Sequence, residues 1–196
     1  MPKYDKPDLT KLRQQEKKLP SNPWIASLAL ALLLQAPAPS AYASGCSTDT
    51  RLAGNLYGAI ELALDWSDEE IECDSMGRPG GAGIRLRFNG PVGDSGNRLT
   101  VIIAIPELSA AESRQELATN LTMIEDRAGR FFSSKGLDSC WADVRQQLLP
   151  QTAEGPAYRV SGRVYCINPL AQVNGNSSIR LDELVFSAAA NWRPDE

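Results

Sequence analysis

In "GIRLRFNG", residues 83–90, the apolar side chains of Ile84, Leu86 and Phe88 alternate with Arg85, Arg87 and Asn89. A period of two places one set on each side of an extended chain, so this run is a half-buried strand. The same pattern recurs along the sequence. In "AIELALDW", Ile60, Leu62, Leu64 and Trp66 oppose Glu61, Ala63 and Asp65. In "YRVSGRVYCI", Val160, Val164 and Cys166 oppose Arg159 and Arg163. "RLTVIIAIP", from Arg98 to Pro106, is apolar on both sides, as expected of a central strand covered on both faces. "SIRLDELVFSA" starts with Ile179 and Leu181 in phase and resumes with Leu184 and Phe186 one residue out of step. A slip at Asp182-Glu183 inside one strand predicts a β-bulge.

Turn-forming clusters separate these runs: "GRPGGAG", "GPVGDSGN", "DRAG", "AEGPA" and "NPLAQVNGNSS". Their spacing of about ten to fifteen residues is that of a sandwich or barrel. Two segments predict short helices. "SAAESRQELA" has Ser109 with Glu112 three residues on, a capping-box pattern. "DSCWADVRQQLLP" spaces Trp141, Val144 and Leu148 for one helical face and stops at Pro150. The expected fold is all-β: one antiparallel β-sandwich of about eight strands with one or two short helices. Immunoglobulin markers are missing, because Trp141 follows Cys140 directly and Tyr165 immediately precedes Cys166.

Residues 1–43 read as a cleaved secretory signal, and 44–196 as the single domain. Lys3, Lys6, Lys11, Arg13, Lys17 and Lys18 outnumber three acids ahead of the apolar run "WIASLALALLLQ", and Ala41-Tyr42-Ala43 offers a small-residue cleavage site. The apolar run is too short to span a bilayer. Periplasm or secretion is the expected destination. "ASGC" ending at Cys46 gives an alternative, lipid anchoring through that cysteine. All four cysteines (Cys46, Cys73, Cys140, Cys166) follow the cleavage site, and an even count in an exported chain favours two disulfides. Pairing Cys46 with Cys73 and Cys140 with Cys166 is the expected arrangement among three possible ones.

The chain contains no histidine, which removes Ser-His-Asp and Cys-His catalysis and the usual catalytic zinc sites. Lys135 is the one lysine after the leader and sits in the turn-like "SSKGLD". From Ser44 onward 21 acids face 14 bases, a net charge of −7, which disfavours nucleic acid and anionic membrane surfaces. Enzymatic activity is therefore not the favoured reading. The expected function is non-catalytic binding or assembly with another protein or a cell-envelope component. A carbohydrate-binding module is the alternative, with Trp192, Phe131 and Phe132 as candidate ligand-surface aromatics. A histidine-free, carboxylate-dependent glycoside hydrolase or lyase is the second alternative. No cofactor is expected. Calcium is the metal such a chain could bind, through Asp94 and Asn97 in one loop and Asn174 and Asn176 in another.

"DWSDEEIECD", residues 65–74, carries six carboxylates and no base. Past a turn at Ser67-Asp68, Ile71 and Cys73 alternate with Glu70, Glu72 and Asp74. If the loop after Asp74 closes a hairpin, Asp74 faces Arg85, Glu72 faces Arg87, Cys73 meets Leu86 and Ile71 meets Phe88. Asp65, Asp68 and Glu69 are then left unpaired at the turn, open to a metal or docking role.

Overall fold

The computed structural model describes residues 49–78, 82–93, 96–150 and 156–192, all inside one compact unit, Ala43–Glu196. The expected signal, its cleavage site and Cys46 lie outside the described residues. Twelve strands are present among the described residues: β1 (Arg51–Gly58), β2 (Leu62–Ser67), β3 (Glu72–Gly77), β4 (Ile84–Val92), β5 (Asn97–Ile105), β6 (Arg114–Ala118), β7 (Asn120–Glu125), β8 (Arg130–Ser133), β9 (Cys140–Leu148), β10 (Ala157–Cys166), β11 (Leu170–Gln172) and β12 (Ser178–Asn191). The protein is all-β and antiparallel as the alternation predicts, with twelve strands rather than eight, and the described residues contain no α-helix.

The strands form one continuous sheet in the order β3-β4-β5-β7-β8-β11-β12-β10-β9-β6, with β1 on the other edge of β12 and β2 beyond it. The short β11 joins two halves. Its partner β12 touches β11 at Leu170↔Ile179, and its far end brings Trp192 to 3.8 Å from the position of a Cβ on Gly77 in β3. The long strand therefore crosses the half built from β3, β4, β5, β7 and β8, and the two inner faces enclose one core. Phe88, Phe132 and Phe186 are among its largest fully buried side chains.

The bulge predicted in β12 is present. Gly54 pairs with Leu184 and Leu56 with Leu181, so Asn55 alone stands opposite Asp182 and Glu183. The extra residue lets Ile179 and Leu184 both reach the core despite their odd spacing.

Both expected helices are strands. At 109–118 one half of the capping box forms, with Ser109 N–H donating to Glu112 Oε2 at 3.2 Å, while Glu112 N–H donates to the Ser109 backbone carbonyl at 3.3 Å, a turn bond. Ala111 then takes a left-handed φ of 62°, which a continuing helix does not allow. The chain leaves as β6 and pairs with β9. At 138–150 the helical spacing of Trp141, Val144 and Leu148 competes with an alternation that buries Cys140, Ala142 and Val144. A nine-residue ladder to β10 decides the contest, and Leu148 is left exposed.

The β3–β4 hairpin keeps the expected faces but shifts by two residues. Asp74 pairs with Arg87, Cys73 with Phe88 and Glu72 with Asn89. The reason is that Ser75, Met76 and Gly77 extend β3, and Arg78 N–H closes the loop on Gly83 O at 2.9 Å. In β5, Leu99, Val101, Ile103 and Ile105 are fully buried, whereas Ile102 and Ala104 on the other side are only half-buried. The expectation that both faces are covered is corrected.

Candidate functional site

Register builds the site. Across β1, β12, β10 and β9, one row reads Arg51, Ser187, Ser161, Arg145, and the next reads Ala53, Val185, Arg163, Asp143. One step further, Tyr165 pairs with Trp141. Because Cys140, Ala142, Val144, Val160 and Val164 turn inward to the core, these partners face outward. The two serines are short and the arginines long, so the row forms a floor between cationic walls. The resulting cleft measures about 570 Å³, within the range of small-ligand sites. Gly162 lies in its lining, where a side chain would collide with the Asp143 backbone carbonyl. The β9 and β10 backbones thus approach closely beneath the cleft.

Asp143 and Arg163 form the charged centre. Arg163 Nε donates to Asp143 Oδ2 at 2.9 Å, and Arg163 Nη1 lies 3.8 Å from Glu183. The other Asp143 oxygen accepts the Glu116 N–H at 3.0 Å, across the irregular β6–β9 pairing. That backbone bond first, and Arg163 second, hold the Asp143 carboxyl below the usual carboxylate range. Asp143 in turn raises the Arg163 guanidinium above its ordinary value. Burial, then the charge of Asp143, pushes the Tyr165 phenol up. Arg51 bonds Asp65 at 2.9 Å with both side chains exposed, a geometry worth little in water.

Trp141 and Tyr165 stack with centroids 6.2 Å apart and planes 27° apart. Both are half-buried and lie on the outer face. The indole N–H groups of Trp66 and Trp192 are satisfied, by Pro91 O at 3.1 Å and Gln146 Oε1 at 3.0 Å. Neither Trp141, Tyr165 nor Arg145 has a side-chain hydrogen bond or ion pair among the described residues.

The residues proposed from sequence fall elsewhere. Trp192, expected at an exposed strand end, is 7% exposed, because β12 carries it over β3. Phe132 is fully buried and its neighbour Phe131 is 46% exposed, so the pair does point to opposite sides. Neither Trp192 nor Phe132 can present a ring to a ligand. Asn97 Oδ1 accepts the N–H groups of Arg98 at 3.0 Å and Arg127 at 3.2 Å, and its amide donates to Glu125. Its oxygen thus serves the local turn. Asp94 lies outside the described residues. Asn174 takes a left-handed φ of 58°, the role asparagine fills in turns, and it and Asn176 are exposed there. No group of three or more His, Cys, Asp or Glu placed to hold a metal occurs among the described residues.

The acidic stretch is largely absorbed by structure. Asp65 pairs with Arg51, and Glu72 lies 3.5 Å from Arg98 and 3.9 Å from Arg87. Asp68 accepts the backbone N–H groups of Asp49, at 2.7 Å, and Thr50. Glu69 and Glu70 remain exposed in the turn.

The expected disulfide between Cys140 and Cys166 is present, joining residues directly opposite in the β9–β10 ladder with Cα atoms 4.0 Å apart. Cys73 is also disulfide-bonded, so it is not the free thiol that lipidation of Cys46 would imply. Its expected partner Cys46 lies outside the described residues.

Sequence reasoning missed the Trp141–Tyr165 pair because it placed Trp141 on a helix against the core. The available signal was the alternation itself, which turns Trp141 outward once Cys140 turns in. The fold and site define an all-β, disulfide-bonded protein with a shaped outer cleft. Comparison with protein-family models, curated proteins and solved structures returns no match.

Proposed function

We propose that this protein is exported and acts as a non-catalytic binding protein, taking a protein or cell-envelope component on the outer face of β1, β12, β10 and β9. The observation that carries the reading is the cleft over Ser161 and Ser187, bounded by Arg51, Arg145 and Arg163. The Cys140–Cys166 disulfide suits the oxidising compartments outside the cytosol. Asp143 is the one carboxylate in the cleft lining and is tied to Arg163 and the Glu116 N–H. Arg163 stands between Asp143 and the neighbouring Glu183 and pairs with both, which disfavours the two free carboxylates that glycoside hydrolysis uses.

A photo-crosslinking residue at Ser187 tests this reading against one at Thr122, in β7 of the other half. In cells that export the chain, position 187 yields a discrete adduct and position 122 does not. No adduct from 187, or equal adducts from both, overturns the reading.

The stacked Trp141–Tyr165 pair favours one class within this reading, a saccharide. The two half-buried rings stack on each other on the outer face, and Trp and Tyr each add a polar tip that can bond a sugar hydroxyl.

A further inference from the structure

We propose that the cleft over Ser161 and Ser187 binds one phosphate group of a non-lipid ligand, with Arg145 as its principal cation. The proposal rests on the reading of the outer face as a binding surface and names the chemistry that the cleft takes.

Three observations converge. The first is which groups in the cleft are uncommitted. Arg163 pairs with Asp143 at 2.9 Å and lies 3.8 Å from Glu183. Asp143 engages its two oxygens with Arg163 and the Glu116 N–H. That centre is charge-balanced and offers a ligand little. The Arg145 guanidinium and the hydroxyls of Ser161 and Ser187, all in the cleft lining, have no partner among the described residues. Arg51 completes the set, because its bond to Asp65 is exposed on both sides and exchanges at little cost.

The second is register. Arg51, Ser187, Ser161 and Arg145 stand in one row across four strands. Three steps between neighbouring strands place the Cα atoms of the two arginines about 14 Å apart. Two long cationic side chains therefore flank two short hydroxyls, and Gln115 adds an amide to the lining. A tetrahedral phosphate accepts hydrogen bonds in several directions at once, so it takes a guanidinium fork and the two hydroxyls together. A planar carboxylate turns both oxygens to the fork and serves the hydroxyls less well.

The third is what surrounds the row. Asp65, Asp143 and Glu183 stand beside it, so further phosphates on the same ligand would meet carboxylates. That selects against a nucleic-acid backbone with its regular charges. The chain's net acidity likewise sets the face against an anionic lipid surface. A cleft of about 570 Å³ accommodates a small phosphate ester or the phosphate-bearing end of an envelope component. Arg85 in β4 gives the contrast. It too is exposed and without an ion pair among the described residues, but its register neighbours are Met76 and Ala104. It is a lone cation with neither hydroxyls nor a second arginine in its row.

Nitrogen–proton spectra of the disulfide-intact protein, residues 44–196, titrated with inorganic phosphate at constant ionic strength test the proposal. Phosphate produces saturable shifts at the backbone amides of Ser161 and Ser187 and at the Arg145 side-chain N–H. Arg145→Gln weakens this binding roughly tenfold or more, the scale of one charge-assisted hydrogen bond. Ser161→Ala combined with Ser187→Ala also weakens it, and Arg85→Gln leaves it unchanged, with a thermal melt confirming the fold of each variant. Acetate binds roughly tenfold or more weakly than phosphate. No saturable shift in the cleft, or an equal loss in Arg145→Gln and Arg85→Gln, overturns the site. Acetate binding as tightly as phosphate overturns the tetrahedral anion. Phosphatidate vesicles that sediment the wild type but not Arg145→Gln overturn the non-lipid source. If position 187 still crosslinks in cells while phosphate fails to bind, the binding face stands and its ligand chemistry falls. Phosphate binding without that adduct keeps the anion site and removes the partner.

Discussion

The indole of Trp66 in β2 lies flat against Gly90 in β4, so close that a Cβ at residue 90 would sit 2.6 Å from Cε2 and 2.7 Å from Cε3. The ring is held there by its N–H bond to Pro91 O. This contact joins the two halves of the sheet across the core. Gly90→Ala overpacks it and costs about 1–3 kcal/mol, read as a lowered urea midpoint. An unchanged midpoint would mean that Trp66 does not fix the approach of the two halves.

The bridge between Cys140 and Cys166 closes β9 onto β10 beneath the stacked aromatics, with a sequence separation of 26. Replacing both cysteines with alanine frees the unfolded chain and lowers stability by about 3–4 kcal/mol in the chain-entropy model. Chemical denaturation of the double variant checks this. A loss below about 1 kcal/mol would show that the β9–β10 ladder needs no covalent support.

Much of this architecture was legible in the residues. Ile84, Leu86 and Phe88 announced β4, and the phase change around Asp182-Glu183 announced the bulge, because period-two burial is written directly into side-chain order. The two helical readings failed for a shared reason. Local signals, the Ser109–Glu112 capping pair and the spacing of Trp141, Val144 and Leu148, were outweighed by pairing partners distant in sequence. Long-range pairing also hid the site. Arg51, Ser187, Ser161 and Arg145 become neighbours only through the register of four strands, and no spacing along the chain shows that. Trp192 misled because a strand end usually frays, whereas here it is carried over β3.

Asp68 is a structural acceptor in the acidic stretch. Its carboxylate binds the N–H groups of Asp49 and Thr50 and anchors the approach to β1. Asp68→Ala leaves Thr50, which is buried, without that acceptor and costs about 1–3 kcal/mol. Urea unfolding measures the loss. Added calcium should leave the wild-type melting temperature unchanged, and a calcium-dependent rise abolished in Asp68→Ala would reassign the residue to a metal site.

The Asp143 carboxyl titrates below its ordinary value because it accepts the Glu116 N–H and pairs with Arg163. A depressed folded-state value means its contribution to stability is fully present above the unfolded value, about 3.9. The contribution is lost as pH falls through the lower folded value. Asp143→Asn therefore melts below wild type at neutral pH, and the gap narrows as pH drops below about 4. Thermal melts from neutral to acid pH test the direction, and a gap that widens on acidification would refute it.

Trp141 differs from Trp66 and Trp192 in one respect that a spectrum reads directly: its indole N–H has no hydrogen-bond partner among the described residues, and the ring lies on the outer face. Nitrogen–proton spectra of the protein lacking residues 1–43 should show three indole signals, one for each tryptophan that remains. On titration with chitotetraose, a probe of the saccharide class, the Trp141 signal, assigned through Trp141→Phe, moves while those of Trp66 and Trp192 stay in place. Movement of the Trp66 or Trp192 signal with Trp141 unmoved would contradict the account.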